Sequence, residues 1–257
     1  MKWIDVRDYE AMSVLASARM FEIISGKAQA GKPVNIGLAT GNTMIRTYEI
    51  LAEMLNKNGT DLARLTTFNL DEYVGPDGCN VKSSHPLSYR SYMREKLFKN
   101  LNPELKFRPD RIMFPDAVNA AGYDREISDA GGIDFQLLGI GFNGHIAFNE
   151  PIPEAEITSD EFYGLPSRVV KLDRRTLETN ASLTAGNDMG LVPARAVTMG
   201  MNSIMQAREI MLLACFAEQS VPLRGIKTGR ITPENPASCL LKHPACTIVC
   251  TSDKIKI

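Results

Sequence analysis

The sequence lacks most of the features that mark the commoner activity classes. It has no surplus of charge, with 29 Lys and Arg against 30 Asp and Glu. No overall field therefore draws the chain to nucleic acid or to an anionic membrane. No apolar run reaches the roughly 18 residues of a spanning helix. The start, MKWIDVRDYE, has no charged-then-apolar targeting pattern. The five cysteines, Cys79, Cys215, Cys239, Cys246 and Cys250, are odd in number, scattered and without a CxxC pair. Cys215, Cys246 and Cys250 fall in apolar runs, where a thiol acts as a small core group. That usage points to a reducing compartment, the cytoplasm. No His/Cys/Asp spacing fits zinc, no GxSxG elbow marks a serine hydrolase, and there is no repeat or low-complexity tract. Neither a metal nor a cofactor is expected, and an anionic small substrate would have to be held by a local cluster of donors.

What is present is an alternation of short apolar runs with helical periodicity. Over residues 8–29, Met12, Leu15, Ala16, Met20, Ile23 and Ile24 recur at helical spacing, and Gly26 and Gly31 punctuate the end. Val34–Ala39 reads as a buried parallel strand, followed by a tight turn and a helix over Thr43–Asn56. Leu65–Leu70 reads as a strand ending at Asp71, His85–Phe98 as a helix, and Phe135–Gly141 as the most apolar strand. Ala196–Gly200, Glu209–Phe216 and Cys246–Thr251 read as further strands, with a short helix near Asn202–Ala207. This pattern predicts an α/β fold: a doubly wound, mostly parallel, Rossmann-like sheet with helices on both faces. With 257 residues and no linker, one domain over 1–257 is the simplest organisation. Pro151–Thr184 opens with PIPEAEITSDEFYG and is poor in period. It reads as a lid or a surface loop, with the lid favoured.

Ligands of open α/β sheets bind outside the carboxyl ends of the strands, and three strand ends carry unusual residues. Ala39-Thr40-Gly41-Asn42-Thr43 offers small residues before a helix N-terminus, which suits an anion. It equally suits a capped βα turn, and it is neither GxGxxG nor a P-loop. Asn69-Leu70-Asp71-Glu72-Tyr73 places two carboxylates and a phenol at a strand end. They could be surface decoration, or one could be a pocket acid whose burial raises its pKa toward the working range of a general base. The third, Gly141-Phe142-Asn143-Gly144-His145 through Glu150-Pro151, is the most informative. Gly139 and Gly141 permit close approach, His145 suits proton transfer, and Glu150 could orient the imidazole if the chain folds back. Against a structural histidine, the crowding of Gly, Asn, His and Glu favours a site. His85, before Pro86, reads as a cap or lid contact, and His243 as a loop residue.

At these residues the chain resembles the glucosamine-6-phosphate deaminase family. The matching blocks are TFNLDEYVG (Thr67–Gly75), HPLSYRSYM (His85–Met93), GIGFNGHIAFNEP (Gly139–Pro151) and PASCLLKHP (Pro236–Pro244), in family order over nearly the whole chain. The related 6-phosphogluconolactonases have a GHxAS-like segment without the NEP ending, so lactone hydrolysis is the weaker reading. The resemblance implies conversion of a hexosamine 6-phosphate, gluco or galacto, to a ketose 6-phosphate and ammonia. It implies Asp71 as the base between C2 and C1, His145 as the acid on the ring oxygen, and Glu150 as its charged support. Asn143 falls where some members have Asp. The loop Ala39, Thr40, Gly41, Asn42 and Thr43, with Gly141, Gly144, Glu72 and Tyr73, would surround the sugar phosphate. The resemblance also admits a homo-oligomer. It departs from the family at the phosphate: the usual Arg position falls near Ser182 and the usual Lys position at Gln219, both uncharged. Lys171, Arg174, Arg175, Arg224 or Lys227 could replace them. Otherwise the substrate differs, or the protein binds a sugar phosphate without turning it over.

Overall fold

In the computed structural model, which describes residues 1–257, the chain begins with β1 (Lys2–Val6) and α1 (Tyr9–Gln29). Asp8 starts α1 by accepting from the Ala11 N–H, and Met12, Ala16, Met20 and Ile24 form its buried stripe. Next come β2 (Val34–Leu38), α2 (Ile45–Lys57), β3 (Leu65–Asn69), β4 (Asp71–Val74), α3 (Tyr89–Lys96) and β5 (Ile112–Met113). The middle of the chain supplies α4 (Ala120–Asp129), β6 (Phe135–Leu138), α5 (Ser159–Tyr163), β7 (Arg168–Lys171) and α6 (Arg174–Thr184). It ends with β8 (Arg195–Thr198), α7 (Met201–Met205), β9 (Ile210–Ala214), α8 (Ser220–Lys227) and β10 (Cys246–Thr251).

Seven strands form a parallel sheet in the order β1-β10-β9-β6-β2-β3-β5. The first half of the chain steps across it in one direction, from β1 to β2, β3 and β5. The second half reverses, through β6, β9 and β10. Right-handed crossovers then put the helices of the two halves on opposite faces, and β2, β6 and β9 are buried on both sides. The reversal falls between the neighbours β2 and β6, so the crevice at their carboxyl ends is the topological switch point. Close packing marks this seam: a Cβ on Gly37 of β2 would lie 1.9 Å from Oε1 of Gln136 in β6.

Four expectations are corrected. Ala196–Gly200 does not join the parallel sheet. Its strand, β8, is the centre of a separate antiparallel sheet, β4-β8-β7. The chain leaves β3 at Leu70, whose N–H still donates to Leu38 O while its carbonyl accepts from Met199 N. It then re-enters extended structure as β4, so Asp71 begins a strand instead of ending one. Pro151–Thr184 is not a structureless loop either. It contains α5, whose Phe162 is buried in the main core, then β7 and α6. Only α6 overhangs the crevice. The helix expected over His85–Phe98 is shorter, because His85–Leu87 form a turn and Ser88 caps α3 by accepting from Ser91 N.

The backbone is also tightly packed at Gly200, where the end of β8 passes the segment that leads into β7. A Cβ there would lie 2.2 Å from the Pro166 carbonyl carbon and 2.3 Å from Leu165 O. These are backbone atoms that cannot swing away, so Gly200→Ala should destabilise the fold by about 3 kcal/mol. Gly26→Ala, inside α1 with nothing within 4 Å, should instead stabilise it by about 0.5–1 kcal/mol. Urea unfolding midpoints of the two variants measure both.

Candidate active site

A cavity of about 700 Å³ opens at the switch point, walled by the loops after β2 and β6, the start of β4, α3 and α6. Alternation along β4 decides what faces it. Asp71 and Tyr73 line the cavity, while Glu72 points the other way and is fully buried. Its carboxylate accepts from the N–H groups of Tyr73, Tyr89 and Arg90 and from the Ser88 hydroxyl. Glu72 thus holds the start of α3 and is not on the cavity wall, a correction to its expected place beside the sugar. Its charge still reaches the site. Burial first, and the neighbouring Glu72 carboxylate second, push Asp71 up to about 8. Oδ1 of Asp71 has no hydrogen-bond partner.

The loop after β6 folds back on itself. Gly141 N–H donates to His145 O at 3.0 Å and Gly144 N–H to Gly141 O at 2.9 Å. Two residues make the reversal with left-handed backbone, Gly144 at φ +90 and Ala147 at φ +52. This returns Glu150 to His145, with Oε2 3.2 Å from Nδ1. Asn143 Nδ2 donates to the same oxygen at 2.8 Å. Burial works against the Glu150 charge but is outweighed by His145, Asn143 and Thr176, so its pKa lies below the ordinary carboxylate value. With Nδ1 engaged, Nε2 is left for the cavity. Gly141 lies directly against the ring: a Cβ there would be 2.4 Å from Nε2. Gly144 faces away, toward Asn235 Oδ1, which a Cβ would approach to 2.3 Å. Gly144 and Glu150 therefore shape the wall without forming it.

Beside His145 stands an aromatic wall. Phe148 is 5.9 Å from the imidazole, 5.7 Å from Tyr73 and 6.0 Å from Tyr89 between ring centroids. The loop Ala39–Thr43 also lines the cavity, and Asn42 Nδ2 meets Leu183 O near the end of α6, about two turns from Thr176. The loop's carbonyls are occupied by tyrosine hydroxyls: Tyr48 donates to Ala39 O, Tyr92 to Gly41 O and Tyr9 to Asn42 O. The side turned to the cavity then carries N–H and hydroxyl donors at the start of α2.

The amino-terminal part of the chain, residues 7–149, matches the family model described as glucosamine-6-phosphate isomerases/6-phosphogluconolactonase. A glucosamine-6-phosphate deaminase of Clostridium beijerinckii is 38% identical over 251 residues, covering 97% of this chain and 96% of the relative. One of Rhodopirellula baltica is 40% identical, covering 95% and 90%. The chain belongs to the glucosamine-6-phosphate isomerase/6-phosphogluconolactonase family. Among solved structures of that family, a monomeric glucosamine-6-phosphate deaminase superposes with a TM-score of 0.86 at 30% identity, covering 99% of this chain and 98% of that one. A 6-phosphogluconolactonase from Trypanosoma cruzi reaches 0.71 at 19% identity, covering 98% and 94%, and shares the fold.

Against the family's expected phosphate cations, both aligned positions are accounted for structurally. Ser182 lies on the exposed side of α6. Gln219 does border the cavity, but its side chain is uncharged and turned to the backbone. Oε1 accepts from Cys215 N and Phe216 N, and Nε2 donates to Ile140 O, each at 2.8 Å. Of the five suggested replacements only Arg175 lines the cavity. Arg174 pairs with Glu178, Arg224 donates to Lys256 O, and Lys227 sits over the Trp3 ring. The sequence reading missed two α6 residues. Thr176 Oγ1 lies 3.2 Å from His145 Nδ1, and Asn180 donates to the Tyr73 hydroxyl at 2.8 Å. Their i, i+4 spacing is a usable signal only once 174–184 is known to be a helix. His85 and His243 stay outside the cavity, and His243 is tied down by Ala207 O and Ala245 N. No group of three His, Cys, Asp or Glu side chains is placed to hold a metal.

Proposed function

We propose that the protein is a glucosamine-6-phosphate deaminase, converting a hexosamine 6-phosphate to a ketose 6-phosphate and ammonia. The observation that carries this is the meeting of Asp71 and His145 on one sugar-sized cavity, each with the environment its task needs. His145, held through Nδ1 by Glu150, presents Nε2 to the pyranose. It takes the anomeric hydroxyl proton and delivers one to the ring oxygen, opening the ring. Asp71, buried and short of hydrogen bonds, is a strong enough base to take the C2 proton. Returned to C1, that proton converts the enolamine to a C2 iminium, which water hydrolyses to ketone and ammonia. Tyr73, Tyr89 and Phe148 supply an aromatic wall for the sugar, and Thr40, Gly41, Asn42 and Thr43 supply donors for its phosphate end. Both sheets contribute to the cavity, which supports a single working unit over residues 1–257. The five unpaired thiols favour a reducing compartment, the cytoplasm.

Ammonia release from glucosamine 6-phosphate and galactosamine 6-phosphate tests the reading directly. Turnover of one or both is expected. Hydrolysis of 6-phosphogluconolactone without ammonia release from either amino sugar would overturn it in favour of a lactonase. Tight binding without turnover would make the protein a sugar-phosphate sensor.

A further inference from the structure

A phosphate ester carries close to two negative charges, and neutral donors alone hold it far less tightly than a set containing a cation. The cavity has few cations to offer. Its lining includes three basic side chains, Lys96, Lys99 and Arg175. They are not equivalent. Arg175 belongs to the first turn of α6, next to Thr176, which touches His145. It therefore stands at the imidazole end, away from the loop Ala39–Thr43. Lys99 is committed to Glu95, whose carboxylate also takes Arg94. Lys96 forms no ion pair, is half-buried and ends α3.

The placement of Lys96 follows from α3. Tyr92 and Lys96 are four residues apart and share a helix face. Tyr92 already reaches the phosphate-end loop, donating to Gly41 O at 2.7 Å. Lys96 is thus one turn further along that face, at the cavity edge, and a side chain there tilts toward the helix N-terminus, back over the turn that holds Tyr92. The position aligned with the usual lysine holds Gln219, which is uncharged and is held by the backbone at Cys215, Phe216 and Ile140.

We propose that Lys96 supplies the cation for the substrate's phosphate, moving that function from the loop after β9 to the end of α3. The inference rests on the deaminase reading above. A lysine acts here as a point charge on a flexible stem, which suits a phosphate that enters from the cavity mouth. Binding then depends on Lys96, while ring opening and proton transfer at the far end of the sugar do not.

Steady-state kinetics of the whole protein and of Lys96→Gln, with Arg175→Gln and Lys99→Gln alongside, test this. Lys96→Gln should raise KM for the hexosamine 6-phosphate about 10- to 100-fold, the range of one charged hydrogen bond. Its kcat should stay within about threefold of the wild type, because the lost interaction is equal in ground and transition states. Competitive inhibition by inorganic phosphate should weaken in parallel. An unchanged KM and phosphate inhibition in Lys96→Gln overturn the proposal, as does a large KM rise confined to Arg175→Gln or Lys99→Gln. Failure of the wild type to release ammonia would instead remove the deaminase reading itself, and phosphate binding by calorimetry on the same variants would still decide the role of Lys96.

Discussion

Asp71→Asn should give a folded protein whose deaminase turnover falls by about 10³–10⁴-fold, the scale of a lost general base. Asparagine keeps the shape of the side chain and removes its ability to take a proton. The same change should make the protein more stable above acid pH. Burial and the Glu72 charge raise Asp71 from an ordinary 3.8 to about 8. Between those values the folded protein keeps a proton that the unfolded chain has released. Stability therefore falls as pH rises through this window, by at most about 1.4 kcal/mol per unit, and levels off above the folded value. The Asp71→Asn variant lacks that slope, so its advantage in urea unfolding should grow from pH 5 to pH 8. In the wild type the same ionisation governs catalysis: kcat/KM should rise with pH and level off above about 8. A variant with unaltered turnover, or a wild-type profile flat from pH 6 to 9, would remove Asp71 as the base.

The parallel sheet was legible because its central strands are buried on both faces. Val34–Leu38 and Phe135–Leu138 read as apolar runs interrupted only by Asn35 and Gln136. Cys246–Thr251 was found with its observed limits. The antiparallel sheet was hidden, since β4, β7 and β8 have four residues each and three turns of alternation cannot develop in so short a span. Helix α6 was hidden for a different reason. Its inner face borders a polar cavity, so Thr176, Thr179, Asn180 and Leu183 replace the apolar stripe on which periodicity depends. The site was legible where chemistry and topology agreed, at Asp71 and His145 on two strand ends. Glu72 was misplaced because the phase of a strand that begins at Asp71 cannot be known from a run that ends at Leu70. The return of Glu150 to the imidazole needed the left-handed Ala147, a conformation that an alanine does not announce.

That return makes the imidazole a second point of large sensitivity. His145→Gln should lower kcat/KM by about 10²–10³-fold while leaving the fold intact, since the ring's polar contacts are with Glu150 and Thr176 at the cavity edge. The loss should fall on ring opening and not on the C2 proton. Exchange of the C2 hydrogen with solvent deuterium, measured on the small open-chain fraction of substrate, should persist in His145→Gln and disappear in Asp71→Asn. Gly141→Ala separates the ring's position from its presence. The added methyl would meet His145 Nε2 at 2.4 Å, so the imidazole must leave Glu150 or swing from the cavity. A displacement of this size costs on the order of 10²-fold in rate when reacting atoms lose alignment. Gly141→Ala should therefore resemble His145→Gln in rate while keeping the His145 ring signals in the NMR spectrum. Full activity in Gly141→Ala would mean that the ring has room to move without consequence, and that its seat between Gly141 and Glu150 is not what aims the proton.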